Sequence, residues 1–226
     1  DGTVETIDGR ETAPMAATPG WFLDENGQPR PFRQAVMSGL SVGVPGNLRL
    51  AEKAHAEHGK LPWARLFEPA IRLSRDGFRI TARFREFLET ARDTAAADAE
   101  GRGLFYDEMG EPLPVGTLVR NPLLAKTLQT LASEGADAFY RGPNATAIAL
   151  STAAETPHPA GMTEADLTRY QAKQRDPVCG TYRTYRICGM GPPSSGATTV
   201  FAILKQLERF DLGALGKDSP VAWHLF

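Results

Sequence analysis

Strand-like alternation in this chain is confined to three short stretches, near residues 3–8, 41–44 and 178–190, and helical patterning fills the space between. Thr3-Val4-Glu5-Thr6-Ile7-Asp8 alternates as a half-buried strand does. Ser41-Val42-Gly43-Val44 is a second short candidate, closed by Pro45-Gly46. Isolated hairpins are marginal in water, and a stable sheet needs three or more strands or a packed helix. The sequence is therefore expected to be an α+β fragment, predominantly helical, whose sheet partners lie outside these 226 residues.

The helical middle carries clear punctuation. Leu48 to His58 places apolar residues at 48, 50, 51 and 54 and ends before Gly59. Pro62 suits a first helical turn, while Pro69 predicts a kink or two short helices. Gly77 is placed to stop that segment in a left-handed conformation. Thr81 can cap the next helix, and Asn121-Pro122 is a cap followed by a first-turn proline for a helix ending at Gly135. Asn144 to Ala153 reads as helix. Thr163-Glu164-Ala165-Asp166 resembles a capping arrangement for a helix reaching about Gln174. Residues 16–34 read as a long surface loop, and 94–103 as a stretch with little to bury. Thr198 to Phe210 reads as a helix with Val200, Phe201, Leu204 and Leu207 on one face.

Composition excludes several function classes. Hydrophobic residues make up 42% and charged residues 23%, as in an ordinary globular protein of one or at most two domains. A formal net charge of −2 gives no basic field for nucleic acid, and no apolar run approaches the roughly 18 residues of a membrane span. The N-terminus has neither the basic start nor the apolar stretch of a signal peptide, and it has no initiator methionine, so the chain is expected to begin inside a longer product, with room for a removed export signal upstream. Cys179 and Cys188 flank Thr181-Tyr182-Arg183-Thr184-Tyr185-Arg186, which reads as a hairpin. A turn at Arg183-Thr184 would set the two cysteines opposite each other as a closely spaced pair, open to a disulfide in an oxidising compartment. Against that register, Arg-Thr is not a favoured turn dipeptide.

Few residues look chemical. His55 and His58 share a helix face, but Lys53, Glu57 and Lys60 around them mark a solvated surface rather than a metal site. His158 and His224 suggest no catalytic pair. Asn144-Ala145-Thr146 fits a glycosylation sequon by chance. Thr198 and Thr199 fall inside a helix with no base and no free amine to activate them, so the chain shows no catalytic nucleophile. No cofactor or metal motif is present. Arg10 stands out: it follows a strand and Gly9, and a guanidinium fixed there could grip a carboxylate with two parallel hydrogen bonds. On these residues alone, a surface salt bridge with Asp8 or Glu11 is the simpler reading.

Asp8-Gly9-Arg10-Glu11-Thr12-Ala13-Pro14 resembles the D-x-R-E-x-A-P segment of γ-glutamyltransferases. In the same order follow Ser41-Val42-Gly43-Val44-Pro45-Gly46 and Leu66-Phe67-Glu68-Pro69-Ala70-Ile71-Arg72-Leu73-Ser74-Arg75-Asp76-Gly77-Phe78. Phe139-Tyr140-Arg141-Gly142, Thr163-Glu164-Ala165-Asp166-Leu167 and Pro192-Pro193-Ser194-Ser195-Gly196 complete the series, so the resemblance covers essentially the whole chain.

The resemblance implies an N-terminal-nucleophile hydrolase, an αββα sandwich made as a precursor that cleaves itself into large and small subunits. Residues 1–226 would be part of the large subunit, lacking its first sandwich strands and the whole small subunit. In such enzymes the small subunit's N-terminal threonine attacks a γ-glutamyl amide of a glutathione-like substrate. The acyl group then passes to water or to an amino acid or peptide. Arg10 matches the family arginine that binds the substrate α-carboxylate, and a periplasmic or secreted location is implied. The resemblance gives Ser194 and Ser195 no catalytic part; the Pro-Pro stiffens a turn and the serines cap the next helix. A cephalosporin acylase, a capsule-processing transpeptidase or a non-catalytic scaffold could carry the same lobe.

Overall fold

Local start and stop signals set most helix boundaries in the computed structural model, which describes residues 2–154 and 161–226. In chain order come β1 (Thr6–Asp8), α1 (Phe32–Val36), α2 (Asn47–His58), α3 (Trp63–Asp76) and β2 (Phe78–Arg79). Then follow α4 (Ala82–Thr90), α5 (Arg92–Ala95), α6 (Ala99–Phe105), β3 (Leu118–Val119), α7 (Pro122–Glu134) and α8 (Asp137–Tyr140). The last are α9 (Gly142–Ala154), α10 (Glu164–Arg169), β4 (Lys173–Arg175), β5 (Val178–Tyr182), β6 (Tyr185–Gly189), α11 (Gly196–Leu207), α12 (Leu212–Leu215) and α13 (Pro220–Leu225). Two units are formed, Glu11–Tyr170 and Asp1–Arg10 with Gln171–Phe226.

The larger unit is the helical one. The Thr81 hydroxyl accepts from the Phe84 amide at 3.1 Å and the Asn121 side-chain Oδ1 from the Leu124 amide at 2.8 Å, so both expected caps form. Thr163 and Asp166 make a reciprocal capping box. Gly77, at φ 97°, ends α3; a Cβ there would lie 2.7 Å from the Val119 carbonyl oxygen. Pro69 lies inside α3 without splitting it into two helices. The helix gives up one backbone bond, yet packs along α7, and the Trp63 indole donates to the Leu131 carbonyl at 2.9 Å.

Two apolar clusters hold this unit. One gathers Val44, Tyr140, Ala145, Met162, Leu167 and Tyr170. The other gathers Ile80, Leu88, Tyr106 and Val119, with Ala95, Ala96, Leu104 and Phe105 packed against it. Residues 94–103 bury little themselves, only Ala95 and Ala96 packing partly against that cluster, but Asp98 caps the Gly101 amide and starts α6, which delivers Leu104 and Phe105 just beyond. Residues 16–34 are anchored as well. Trp21 is buried and donates to the Leu40 carbonyl at 3.0 Å. Residues 41–44 form no strand; a short helical turn, Gly39–Ser41, precedes a single bridge between Val44 and Thr12.

The smaller unit holds two antiparallel pairs, β1 with β4 and β5 with β6. The helix expected to run to about Gln174 instead stops at Arg169, and Lys173–Arg175 pairs with Thr6–Asp8 across more than 160 residues of sequence. The hairpin has the expected register. Tyr182 faces Tyr185, and Cys179 faces Cys188, with which it forms a disulfide, Cα atoms 4.1 Å apart. Arg183 takes φ 53°, unusual for a residue with a Cβ. Its amide is held by the Glu208 carboxylate and its guanidinium lies 5.3 Å from the Tyr182 ring, which makes the unfavoured dipeptide workable. One face of the hairpin packs on α11, so closely that a Cβ on Gly180 would sit 2.5 Å from the Phe201 ring. On α11, Leu207 is buried and Val200 exposed, so only part of the expected apolar face is covered.

Candidate functional site around Arg10

The candidate cation sits two residues beyond β1, exposed, with the buried Asp8 behind it. The strand turns Asp8 inward, and the carboxylate then organises the chain that follows. Its Oδ1 accepts from the Arg10 amide at 2.9 Å and its Oδ2 from Arg175 Nε at 2.7 Å. The two partners arrive from opposite ends of the sequence, because β1 pairs Thr6 with Arg175 and Asp8 with Lys173. The Arg10 amide, the Arg175 guanidinium and, at longer range, Lys173 hold the Asp8 carboxyl below the usual carboxylate range. Arg10 thus meets Asp8 through its backbone amide. The Asp8 carboxylate is shared between Arg175 and the Arg10 amide, so it fixes the Arg10 main chain, and Arg10 itself is an exposed residue.

Arg175 was missed by the sequence reading. It lies in the polar run Lys173-Gln174-Arg175-Asp176, which has no alternation to mark a strand. Only the pairing with β1 reveals its role.

Asp8→Asn is expected to destabilise the protein near neutral pH, with the gap closing in acid. Asp8 has a folded pKa below its ordinary 3.8, so its contribution is complete above that value and is lost as pH falls through the lower folded value. Urea midpoints of the two proteins at pH 7 and at about pH 3 test this. A difference that does not change with pH would show that the ionised carboxylate is not its source.

The other candidates resolve into structure. His55 Nε2 lies 2.7 Å from the Leu61 carbonyl oxygen and its ring meets Trp63 edge-on at 5.4 Å, so this imidazole closes the end of α2. His58 is exposed on the same helix, His224 lies in the last turn of α13, and His158 lies outside the described residues. Asn144 Nδ2 donates to the Ala138 carbonyl at 2.8 Å, a bond that a glycan on that nitrogen would disturb. Thr198 and Thr199 sit in the first turn of α11, and the Thr198 hydroxyl donates to the Ser195 carbonyl at 3.1 Å. Ser194 rather than Ser195 serves the helix start, accepting from the Gly196 amide at 3.3 Å. Among the described residues no helix is long and apolar enough to cross a membrane.

A family model described as gamma-glutamyltranspeptidase matches residues 1–226. The glutathione hydrolase proenzyme of Escherichia coli (strain K12) is 34% identical over 226 residues, covering 100% of this chain and 38% of that protein. The glutathione hydrolase proenzyme of Bacillus subtilis (strain 168) is 38% identical over 208 residues, covering 91% of this chain and 34% of its own length. The chain thus spans little more than a third of these relatives. The crystal structure of Helicobacter pylori gamma-glutamyltranspeptidase superposes with a TM-score of 0.89 at 34% identity, covering 98% of this chain and 62% of that one.

Proposed function

Because the chain belongs to the gamma-glutamyltranspeptidase family, we propose that it is part of the large subunit of an enzyme that cleaves γ-glutamyl amides such as glutathione. The γ-glutamyl group passes to water or to an amino acid or peptide. Residues 1–226 supply the anchor for substrate, and the nucleophile belongs to the small subunit of the same precursor.

The observation that carries this reading is the clamp on Arg10. A carboxylate ligand is bound best by a guanidinium whose main chain does not move when the ligand arrives, since ordering cost subtracts from affinity. Asp8 supplies that fixity by taking the Arg10 amide on one oxygen and Arg175 on the other. With the substrate α-carboxylate held at Arg10, the γ-carbonyl carbon is set at a fixed distance for attack by the threonine hydroxyl. The threonine oxygen–carbon bond forms, the carbon–nitrogen bond breaks, and the hydroxyl proton leaves on the departing amine. Water or an acceptor amine then takes the acyl group from the ester.

The test is release of aniline from a γ-glutamyl anilide. The complete polypeptide is expected to turn over many times, and residues 1–226 alone not at all. Turnover by the 226-residue chain alone would overturn the division of labour. A complete polypeptide inert towards γ-glutamyl anilides but active on another acyl amide would overturn the substrate class.

A further inference from the structure

The disulfide Cys179–Cys188 lies away from the Arg10 anchor in sequence and takes no part in the proposed chemistry. Three observations set it apart from a structural staple. The bridge spans only nine residues of sequence, in a hairpin whose ladder already pairs every residue from 178/189 to 182/185. Closing so short a loop removes less freedom from the unfolded chain than closing a long one. Among the described residues the hairpin is also covered on one face only. Gly180 and Gly189 meet Phe201 and Ala197 of α11, whereas Cys179, Thr181, Arg186 and Cys188 occupy the opposite face, all exposed except the half-buried Cys188. Finally, Arg186 Nη2 donates to Cys179 Sγ at 3.4 Å.

A cation beside one sulfur makes that sulfur the better leaving group. Thiolate is stabilised next to arginine, and the lower-pKa thiol departs faster in thiol–disulfide exchange. We propose that this bridge is a thiol-exchange site at which a small thiol attacks Cys188 and Cys179 leaves. The incoming thiolate forms a bond to Cys188 Sγ, the Cys179–Cys188 bond breaks, and its electron pair rests on Cys179 Sγ beside Arg186. A second thiolate then attacks the small-molecule sulfur of the mixed disulfide, releasing the small disulfide and leaving two reduced cysteines. Two thiols are oxidised and one protein disulfide is reduced.

The experiment uses the complete oxidised polypeptide and 2-mercaptoethanesulfonate, a thiol with no γ-glutamyl group, so the outcome is independent of the reading of Arg10. Samples are trapped with iodoacetamide without denaturant and mapped by peptide mass spectrometry. The expected result is a mercaptoethanesulfonate adduct on Cys188 with alkylation on Cys179. Arg186→Gln is expected to slow adduct formation about fivefold, and Arg186→Lys, which keeps the charge, to restore most of the rate. A bridge that resists the thiol until the protein is unfolded overturns the proposal. So does an adduct found chiefly on Cys179, or an unchanged rate in Arg186→Gln.

Discussion

Arg10→Ala in the complete polypeptide is expected to lower kcat/KM for a γ-glutamyl anilide by about 100- to 10,000-fold, while the precursor still cleaves itself. Two charge-assisted hydrogen bonds to a carboxylate are lost together, each of about 1.5–3 kcal/mol where water is excluded, and each 1.4 kcal/mol is a factor of ten. Self-cleavage is expected to survive, because the proposed division of labour puts its reacting groups in the small subunit. Arg10→Lys is expected to recover only part of the loss, since an ammonium cannot present two parallel N–H groups. Stability is expected to move by no more than about 0.5 kcal/mol, as Arg10 is exposed. Asp8→Asn should act differently, costing stability first and activity through the loosened main chain at Arg10. Unchanged kinetics in Arg10→Ala would remove the anchor from the mechanism.

What could be read from the sequence was what is decided locally. Thr81, Asn121 and the Thr163–Asp166 box cap helices within three residues of themselves, and Gly77 and Gly135 stop theirs at positive φ. The hairpin register, too, follows from counting outward from a two-residue turn, which set Cys179 opposite Cys188. Failures came where a distant partner decides. Lys173–Arg175 extends as a strand because Thr6–Asp8 is there to pair with it, and α10 ends early for the same reason. Pro69 stays inside a continuous helix because α7 packs along it. For the site, Arg10 was visible as a motif residue. Its fixing by Asp8, and that of Asp8 by Arg175, required a contact 167 residues apart in sequence.

Tyr140 offers the largest expected loss of stability, and it separates packing from hydrogen bonding. The Phe139-Tyr140-Arg141-Gly142 motif contains no group for the proposed chemistry, and the structure gives it another purpose. Tyr140 is fully buried, 0% exposed, at the centre of the cluster with Val44, Leu167 and Tyr170. Its hydroxyl donates to the Pro45 carbonyl at 2.8 Å and accepts from the Arg49 amide at 3.3 Å. Its ring stacks on Tyr170 at 6.0 Å and lies 4.5 Å beneath the Arg49 guanidinium. One side chain thus joins the Pro45-Gly46 segment, the start of α2 and α8. Burial raises the Tyr140 pKa, so the phenol stays neutral and keeps its proton for Pro45. Tyr140→Phe keeps the packing but strands a buried carbonyl and weakens the start of α2, and is expected to cost about 1–2 kcal/mol. Tyr140→Ala also opens a cavity the size of a ring, raising the cost to about 3–5 kcal/mol. Urea unfolding of both variants, with an unchanged dependence on denaturant, measures the two costs. Equal losses in Phe and Ala would place the energy in the hydroxyl alone. A loss below about 1 kcal/mol in Tyr140→Ala would mean that this cluster is not what holds the helical unit together.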